Sequence, residues 1–409
     1  MKIAIVCNMF SADGGGAIRV AYSQALGLSK QGQQVFVFTG TLDDNSGWSE
    51  WSGIKIYRAR TKESKYILRS YIFLFNPMIA REFKNFLRAV KPDVVHFHNL
   101  YYQFPISLIK IAKERAKGVF LTAHDAMLVN YGKVMPKNGN SMYKVSIWDQ
   151  IKEARKRYNP FRNLIIRYYL KYVDKIFSVS NALKKLLEIN GIKNVKTIYN
   201  GIDVDEWEIN LEKVQEFKER YNLSNKRIVL FGGRLSGAKG GEVILRSLAL
   251  VVKMIKNTTL VVAGEKGWYV KEMIRLVKDL GIGNNVKFTG RLNREDMIFA
   301  FFVSDICVTP SIYLDPFPTV NLEAMAAKKP VIGTCFGGTP EIVLNNETGY
   351  IVNPSNINEL AEKMIDLLKN PQKANKFGEA GYERVKNFFS LENQVKEIFK
   401  WYNRFVLKL

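Results

Sequence analysis

The run Arg227-Ile-Val-Leu-Phe231-Gly232-Gly233-Arg234-Leu-Ser-Gly-Ala-Lys239-Gly240-Gly241 decides the architecture of this chain. A short apolar run ends abruptly in two glycines, and the next helix opens near Lys239. This is how a buried parallel strand and its exit turn read. Toward the C-terminus the unit recurs at Thr259–Ala263, Val286–Thr289, Asp305–Pro310 and Val331–Thr334, with helices between most of them. Toward the N-terminus an equivalent series precedes it: Lys2–Asn8, Gln34–Thr39, Asp93–His98, Val119–Ala123, Lys175–Ser180 and Val195–Tyr199. The first of these leads through the Ser11–Gly16 turn into a helix over Ala17–Lys30, with Val20, Ala21, Ala25 and Leu28 at helical spacing. A charged stretch from Asn200-Gly201 to Lys226 separates the two series. Two Rossmann-like, doubly wound α/β domains are therefore expected, residues 1–205 and 206–390, with ligands in a cleft facing the strands' C-terminal ends. The amphipathic stretch Asn393–Leu409 carries Val395, Ile398, Phe399, Tyr402, Phe405 and Val406 on one side. It is expected as a last helix, within 391–409, that packs back on the N-terminal domain.

With 409 residues the chain can bury two ordinary cores, and 47% hydrophobic with 24% charged residues is a globular composition. Cys7, Cys307 and Cys335 form no CxxC or Cys/His cluster and lie in apolar runs, so they are expected as buried thiols of a reducing compartment. The opening Met1–Asn8 is too short an apolar run for a signal peptide, and no stretch approaches the roughly 18 apolar residues of a membrane span. A cytoplasmic protein is expected. The net charge of +23 is uneven: residues 1–205 hold 32 Lys/Arg against 15 Asp/Glu, residues 206–409 hold 29 against 23. The densest basic region, Lys133 to Lys175, interleaves Trp148, Tyr158, Phe161, Tyr168, Tyr169 and Tyr172. That mixture suits an anionic membrane surface, on the inner face of the cell membrane; ordinary solvated helix faces are the competing reading. No nucleic-acid motif accompanies the charge, and no nucleic-acid partner is expected.

Several residues carry chemistry. Arg234 and Lys239, at a strand's C-terminal end, are a fork and a point charge suited to phosphate oxygens. The pattern lacks the Gly-Lys-Ser/Thr of a P-loop. In Asp315-Pro-Phe-Pro-Thr-Val-Asn-Leu-Glu323, the prolines keep the loop extended and Thr319 is expected to cap a helix over Val320–Lys328. Both acids then face one ligand, and carboxylates accept well from vicinal hydroxyls. Gly14-Gly15-Gly16 would let backbone N–H groups approach an anion, but it is not GxGxxG. His124-Asp125 ends a strand; His96 and His98 share one face of theirs, with His96 deeper and structural. A three-histidine zinc site lacks ligand spacing. Asp203-Val204-Asp205 reads as a turn, not a metal site.

Taken in order, these segments resemble the retaining glycosyltransferases of GT-B family 4, over nearly the whole chain. The segments are Gly14–Gly16 with Ala17-Ile-Arg19-Val, His124-Asp125, Asn200-Gly201-Ile202-Asp203, Gly233-Arg234 with Lys239-Gly240, Ala263-Gly264-Glu265, Phe288-Thr289-Gly290, Asp315 to Ile332, and Gly337-Gly338-Thr339-Pro340-Glu341. The resemblance implies a GT-B fold, two Rossmann-like parallel-sheet domains facing across a cleft. It implies a nucleotide-diphosphate sugar as co-substrate, no metal or other cofactor, and a glycan or lipid-linked acceptor of cell-surface polysaccharide. It assigns Arg234 and Lys239 to the donor diphosphate and Glu323 to the ribose hydroxyls. Asp315 and His124 would contact the donor sugar, Gly15 and Gly16 its phosphate or the acceptor, and backbone at Arg291 and Leu292 the nucleobase. Gly233, Glu265, Phe317, Pro318, Thr319 and Val320 complete the expected donor site. The chain departs from the family in Asp315, where the family has Glu, and in Pro318, where it has Gly. Two rivals remain at this point: a GT-B-shaped sugar-nucleotide epimerase, and a non-catalytic sugar-nucleotide-binding protein.

Overall fold

The computed structural model describes the chain except Tyr101, Tyr102, Asn138, Asn140, Ser141, Glu265, Lys266, Trp268, Lys408 and Leu409. It divides into two compact units. One comprises Met1–Val134, Met142–Gly201 and Leu391–Leu409; the other comprises Met135–Ser141 and Ile202–Ser390.

In the first unit, eight strands form one sheet: β1 (Lys2–Cys7), β2 (Gln34–Thr41), β3 (Gly47–Trp51), β4 (Ile54–Arg60), β5 (Val94–His98), β6 (Gly118–Ala123), β7 (Lys175–Ser178) and β8 (Val195–Thr197). Their order is β3-β4-β2-β1-β5-β6-β7-β8. All neighbouring pairs are parallel except β3–β4. Central strands buried on both faces explain the unbroken apolar runs: every residue of β1 after Lys2 is buried. The β3–β4 hairpin went unread because β3 lies exposed at the sheet edge, with almost no inward side chains. Its turn, Ser52-Gly53, takes positive φ at both positions, the geometry favoured in tight hairpins.

The second unit holds a six-stranded, wholly parallel sheet of β9 (Arg227–Gly232), β10 (Thr258–Ala263), β11 (Val286–Gly290), β12 (Ile306–Thr309), β13 (Val331–Thr334) and β14 (Gly349–Val352), in the order β11-β10-β9-β12-β13-β14. Strand order reverses beside β9, so the loops after β9 and β12 diverge around a switch point. β14 was not among the strands expected from the sequence.

The last helix, Leu391–Val406, belongs to the first unit. Leu391, Val395, Ile398 and Tyr402 enter its core with Ile3, Ala21 and Leu28. At the passage between units, Ile202 N–H donates to the Phe389 carbonyl at 2.9 Å, and Gly201 N–H donates to Gln394 Oε1 at 2.8 Å. Those bonds put the passage at Gly201/Ile202 and Ser390/Leu391. Cys7 and Cys307 are buried, whereas Cys335, just past β13, is exposed and corrects the expectation of three buried thiols.

Because Ile398 is 1% exposed, Ile398→Ala should cost about 2–5 kcal/mol despite its place near the chain's end. Urea unfolding followed by circular dichroism checks this; a loss below about 1 kcal/mol would contradict the packing described.

Candidate functional site

Parallel strands deliver their exit loops to one end of a sheet, and in the second unit those loops carry most of the expected donor residues. Gly233 leaves β9 with φ +126° and its N–H donates to the Ala263 carbonyl at 2.8 Å, tying the first loop to β10. Arg234 follows, exposed, with no side-chain hydrogen bond or ion pair among the described residues. Lys239 lies on the short turn Gly237–Lys239, ahead of the helix Gly241–Met254. Gly240 there has φ +81°, and a Cβ on it would sit 2.0 Å from the Pro310 carbonyl oxygen. Only glycine lets this turn close on the loop after β12.

Lys239 and Asp315, expected as separate ligand contacts, are paired with each other: Nζ donates to Oδ2 at 2.6 Å. Ser311 Oγ donates to the same oxygen at 3.2 Å. The Asp315 side chain is 7% exposed and that of Lys239 31%. Burial by itself would lower the Lys239 pKa, but the Asp315 carboxylate outweighs it and holds the ammonium charged, above its ordinary value. The Lys239 ammonium also lies 5.5 Å from the Tyr313 ring centre. Asp315 is fixed from behind as well. Gly338 N–H donates to its carbonyl at 2.8 Å, and Gly337, at φ +71°, leaves room where a Cβ would come within 2.1 Å of that oxygen.

The helix after Asp315 runs Thr319–Ala326 with Pro318 at its N-cap, so Thr319 is its first residue rather than its cap. Proline's fixed φ, −68°, suits the extended cap position, and its missing N–H is no loss there. Lys328 adopts φ +57° and stops the helix earlier than expected. No side chain caps the N-terminus, which leaves its first N–H groups for an anion. Phe317 points away: its ring is 5% exposed and meets Phe389 edge-on at 5.8 Å. Val320 contacts the end of β9, since a Cβ on Gly232 would be 2.5 Å from Val320 Cγ2. Glu323 Oε1 accepts from Arg294 Nη1 at 3.0 Å, a partner not recognised from sequence. Arg291 is exposed and Leu292 half-buried just past β11. Glu265 lies outside the described residues.

In the first unit, Gly15 and Gly16 are exposed ahead of the helix Ala17–Lys30, whose N-terminus again has no side-chain cap. His124, at the end of β6, donates its N–H to Asn99 Oδ1 at 3.0 Å. Its ring Nε2 lies 3.0 Å from His98 Nδ1, and one of the two carries the shared proton. His98 is thus a partner of His124, which the two-residue spacing did not reveal. His96 is structural: Gln24 Nε2 donates to its Nδ1 at 2.9 Å, so Nε2 carries the proton and reaches Thr122 Oγ1 at 2.7 Å. Tyr402 of the last helix also bonds Nδ1. Asp203 accepts from Asp205 N–H, forming the turn read from the sequence. Among the described residues, no group of three or more His, Cys, Asp or Glu is placed to hold a metal ion.

Against this geometry, the chain matches two family models: Glycosyltransferase Family 4 over residues 14–206 and Glycosyl transferases group 1 over 213–384. An uncharacterized glycosyltransferase of Methanocaldococcus jannaschii is 27% identical over 88% of this chain and 87% of its own length. The GDP-mannose-dependent alpha-(1-6)-phosphatidylinositol monomannoside mannosyltransferase of Mycolicibacterium smegmatis is 28% identical over 44% of this chain and 49% of its own length. Sucrose-phosphate synthase from Thermosynechococcus elongatus shares the fold, with a TM-score of 0.80, 21% identity and full coverage of both chains.

The histidines carry a pH consequence. Burial pushes His96 and His124 down to about 3, and His98 well below its ordinary value. Between those values and the unfolded value near 6.5, the unfolded chain binds more protons, so stability falls as pH drops below about 6.5. Each histidine contributes up to about 1.4 kcal/mol per pH unit. The urea midpoint should fall between pH 7 and pH 5, and no histidine ring signal should titrate between pH 5 and 8 by NMR. A midpoint independent of pH would contradict the buried neutral rings.

Proposed function

The chain belongs to the family 4, group 1 glycosyltransferases, which have the GT-B fold, and on that premise we propose that it moves a hexose from a nucleotide-diphosphate sugar to a glycan or lipid-linked acceptor. The observation that carries this reading is the gathering of Arg234, the Lys239–Asp315 pair, Glu323 and an uncapped helix N-terminus around the exit loops of one sheet. The mycobacterial relative, named as GDP-mannose-dependent, supports the donor class and a membrane lipid as acceptor.

An activated sugar needs its diphosphate to leave while positive charge grows at the anomeric carbon. Lys239 is kept protonated by Asp315, and its remaining N–H donors meet the phosphate oxygens with the Arg234 fork. The first N–H groups of Thr319–Ala326 add fixed partial charge. Such donors, aimed where charge develops, are worth a few kcal/mol each without a metal. Asp315 Oδ2 is committed to Lys239 and Ser311, so any contact to the donor sugar falls to Oδ1. In this reading the acceptor attacks on the face the diphosphate leaves, the leaving phosphate takes the acceptor proton, and the anomeric configuration is retained.

A peripheral position at an anionic membrane is supported by the exposed apolar side chains of two segments of the first unit. Trp148, Phe161 and Leu164 are 79%, 64% and 64% exposed, and Tyr71 and Phe75 53% and 60%. The two segments touch: Arg157 lies 5.4 Å over Tyr66 and Arg162 5.2 Å over Phe73. Residues 62–78 and 144–172 hold 11 Lys/Arg against 3 Asp/Glu. Aliphatic and aromatic side chains among cations suit lipid headgroups and their acyl boundary. No helix among the described residues is long and apolar enough to cross a membrane.

A thermal-shift screen of UDP-, GDP-, ADP- and dTDP-sugars should find one stabilising donor class, whose turnover EDTA leaves intact. Lys239→Ala should lower kcat/KM about 10²–10³-fold, and unchanged turnover would refute the site. Flotation should carry the protein with phosphatidylglycerol vesicles and not with phosphatidylcholine alone, and Trp148→Ala with Phe161→Ala should weaken it. Equal or absent binding to both vesicles refutes membrane docking.

A further inference from the structure

Glu323 is held by a network that the transfer chemistry does not itself require. Arg294 opens the helix Arg294–Val303, and Asn293 fixes that helix start by accepting from Asp296 N–H at 2.7 Å. Its guanidinium donates through Nη1 to Glu323 Oε1 at 3.0 Å and through Nη2 to Glu206 Oε2 at 3.2 Å. The same group lies over the Trp207 indole, 4.8 Å from the ring centre. Trp207 is 7% exposed and packs edge-on against Phe301 of Arg294's own helix at 5.5 Å. The side chains of Arg294 and Glu323 are 19% and 18% exposed, so their pair is largely withdrawn from solvent, where screening is weak. A planar fork bonded at two nitrogens and stacked on a ring has little freedom left.

An ionised carboxylate offers about four acceptor positions, and Arg294 takes one on Oε1. Oε2 is left for neutral hydroxyl donors. One cation shared by two carboxylates leaves the trio formally negative, which suits hydroxyls and disfavours a second phosphate.

We propose that Arg294 is a positioning residue for nucleotide recognition: it fixes the Glu323 carboxylate so that Oε2 meets the vicinal hydroxyls of the ribose, and Glu206 and Trp207 hold Arg294 in that pose. The inference rests on the ribose-anchoring role proposed for Glu323. A purely structural Arg294 would weaken all ligands alike; a positioning Arg294 acts only through the hydroxyls.

The test is calorimetric titration of the full chain with UDP, GDP, ADP and their 2′,3′-dideoxy analogues, for wild type, Arg294→Gln, Arg294→Lys and Glu206→Gln, each checked for folding by thermal melting. Wild type should bind one ribonucleotide at least tenfold more tightly than its dideoxy analogue. Arg294→Gln should lose about tenfold for the ribonucleotide and little for the analogue, an energy of about 1.4 kcal/mol. Arg294→Lys should recover part of the difference, and it replaces the Gln variant if that one fails to fold. Glu206→Gln should shift the ratio the same way by less. An unchanged ribo-to-dideoxy ratio in the Arg294 variants overturns this inference alone. Equal wild-type binding of both forms overturns the ribose role of Glu323, and binding of none of the three nucleotides overturns a ribonucleotide donor; this inference falls with either.

Discussion

A strand inside a parallel sheet can return only by a crossover, and that constraint governs everything functional here. Each crossover covers a sheet face with a helix, so the strands become apolar runs with no polar side to spare. Polar work is displaced to the exit loops, which all emerge at one end. In the second unit those loops bring Gly233 and Lys239, Arg291, Asp315 and Gly337 to one end of the sheet from four different strands, β9, β11, β12 and β13.

The charged groups gathered there are largely matched to one another. Lys239 has Asp315, and Glu323 has Arg294, which it shares with Glu206. Unpaired, such groups would suffer at these degrees of burial, because desolvation penalises a charge without a counter-ion. Pairing also fixes geometry in advance, so less ordering remains when a ligand arrives. Arg234 is the exception, an exposed guanidinium with no such partner among the described residues.

The fold was legible because burial on both faces leaves a simple signature, as in Ile3–Cys7 and Ile228–Phe231. It failed where that signature weakens, as at β3, exposed at a sheet edge. The candidate site was legible as residue types at loop positions, but not as pairs. Nothing in the spacing of Asp315 and Lys239 says that they bond across 76 positions. Arg294 resembles any basic residue in a helix's first turn until Glu206 and Glu323 converge on it. His98 looked like a neighbour of His96 along a strand, and its consequential contact proved to be His124 on the adjacent strand. Thr319 read as a cap because its hydroxyl suits that place, yet Pro318 already supplies the extended backbone there.

The closing helix Leu391–Val406 also sets an order of assembly. Ribosomes deliver a chain from its N-terminus, and domains generally fold as they emerge. Here the first unit, begun before the second, lacks the side chains of Val395, Ile398 and Tyr402 until the residues that follow the second unit are made. His96 likewise waits for the Tyr402 hydroxyl. The second unit, begun later, has its whole sheet in hand before that point. The first unit, begun before the second, is therefore completed only after it.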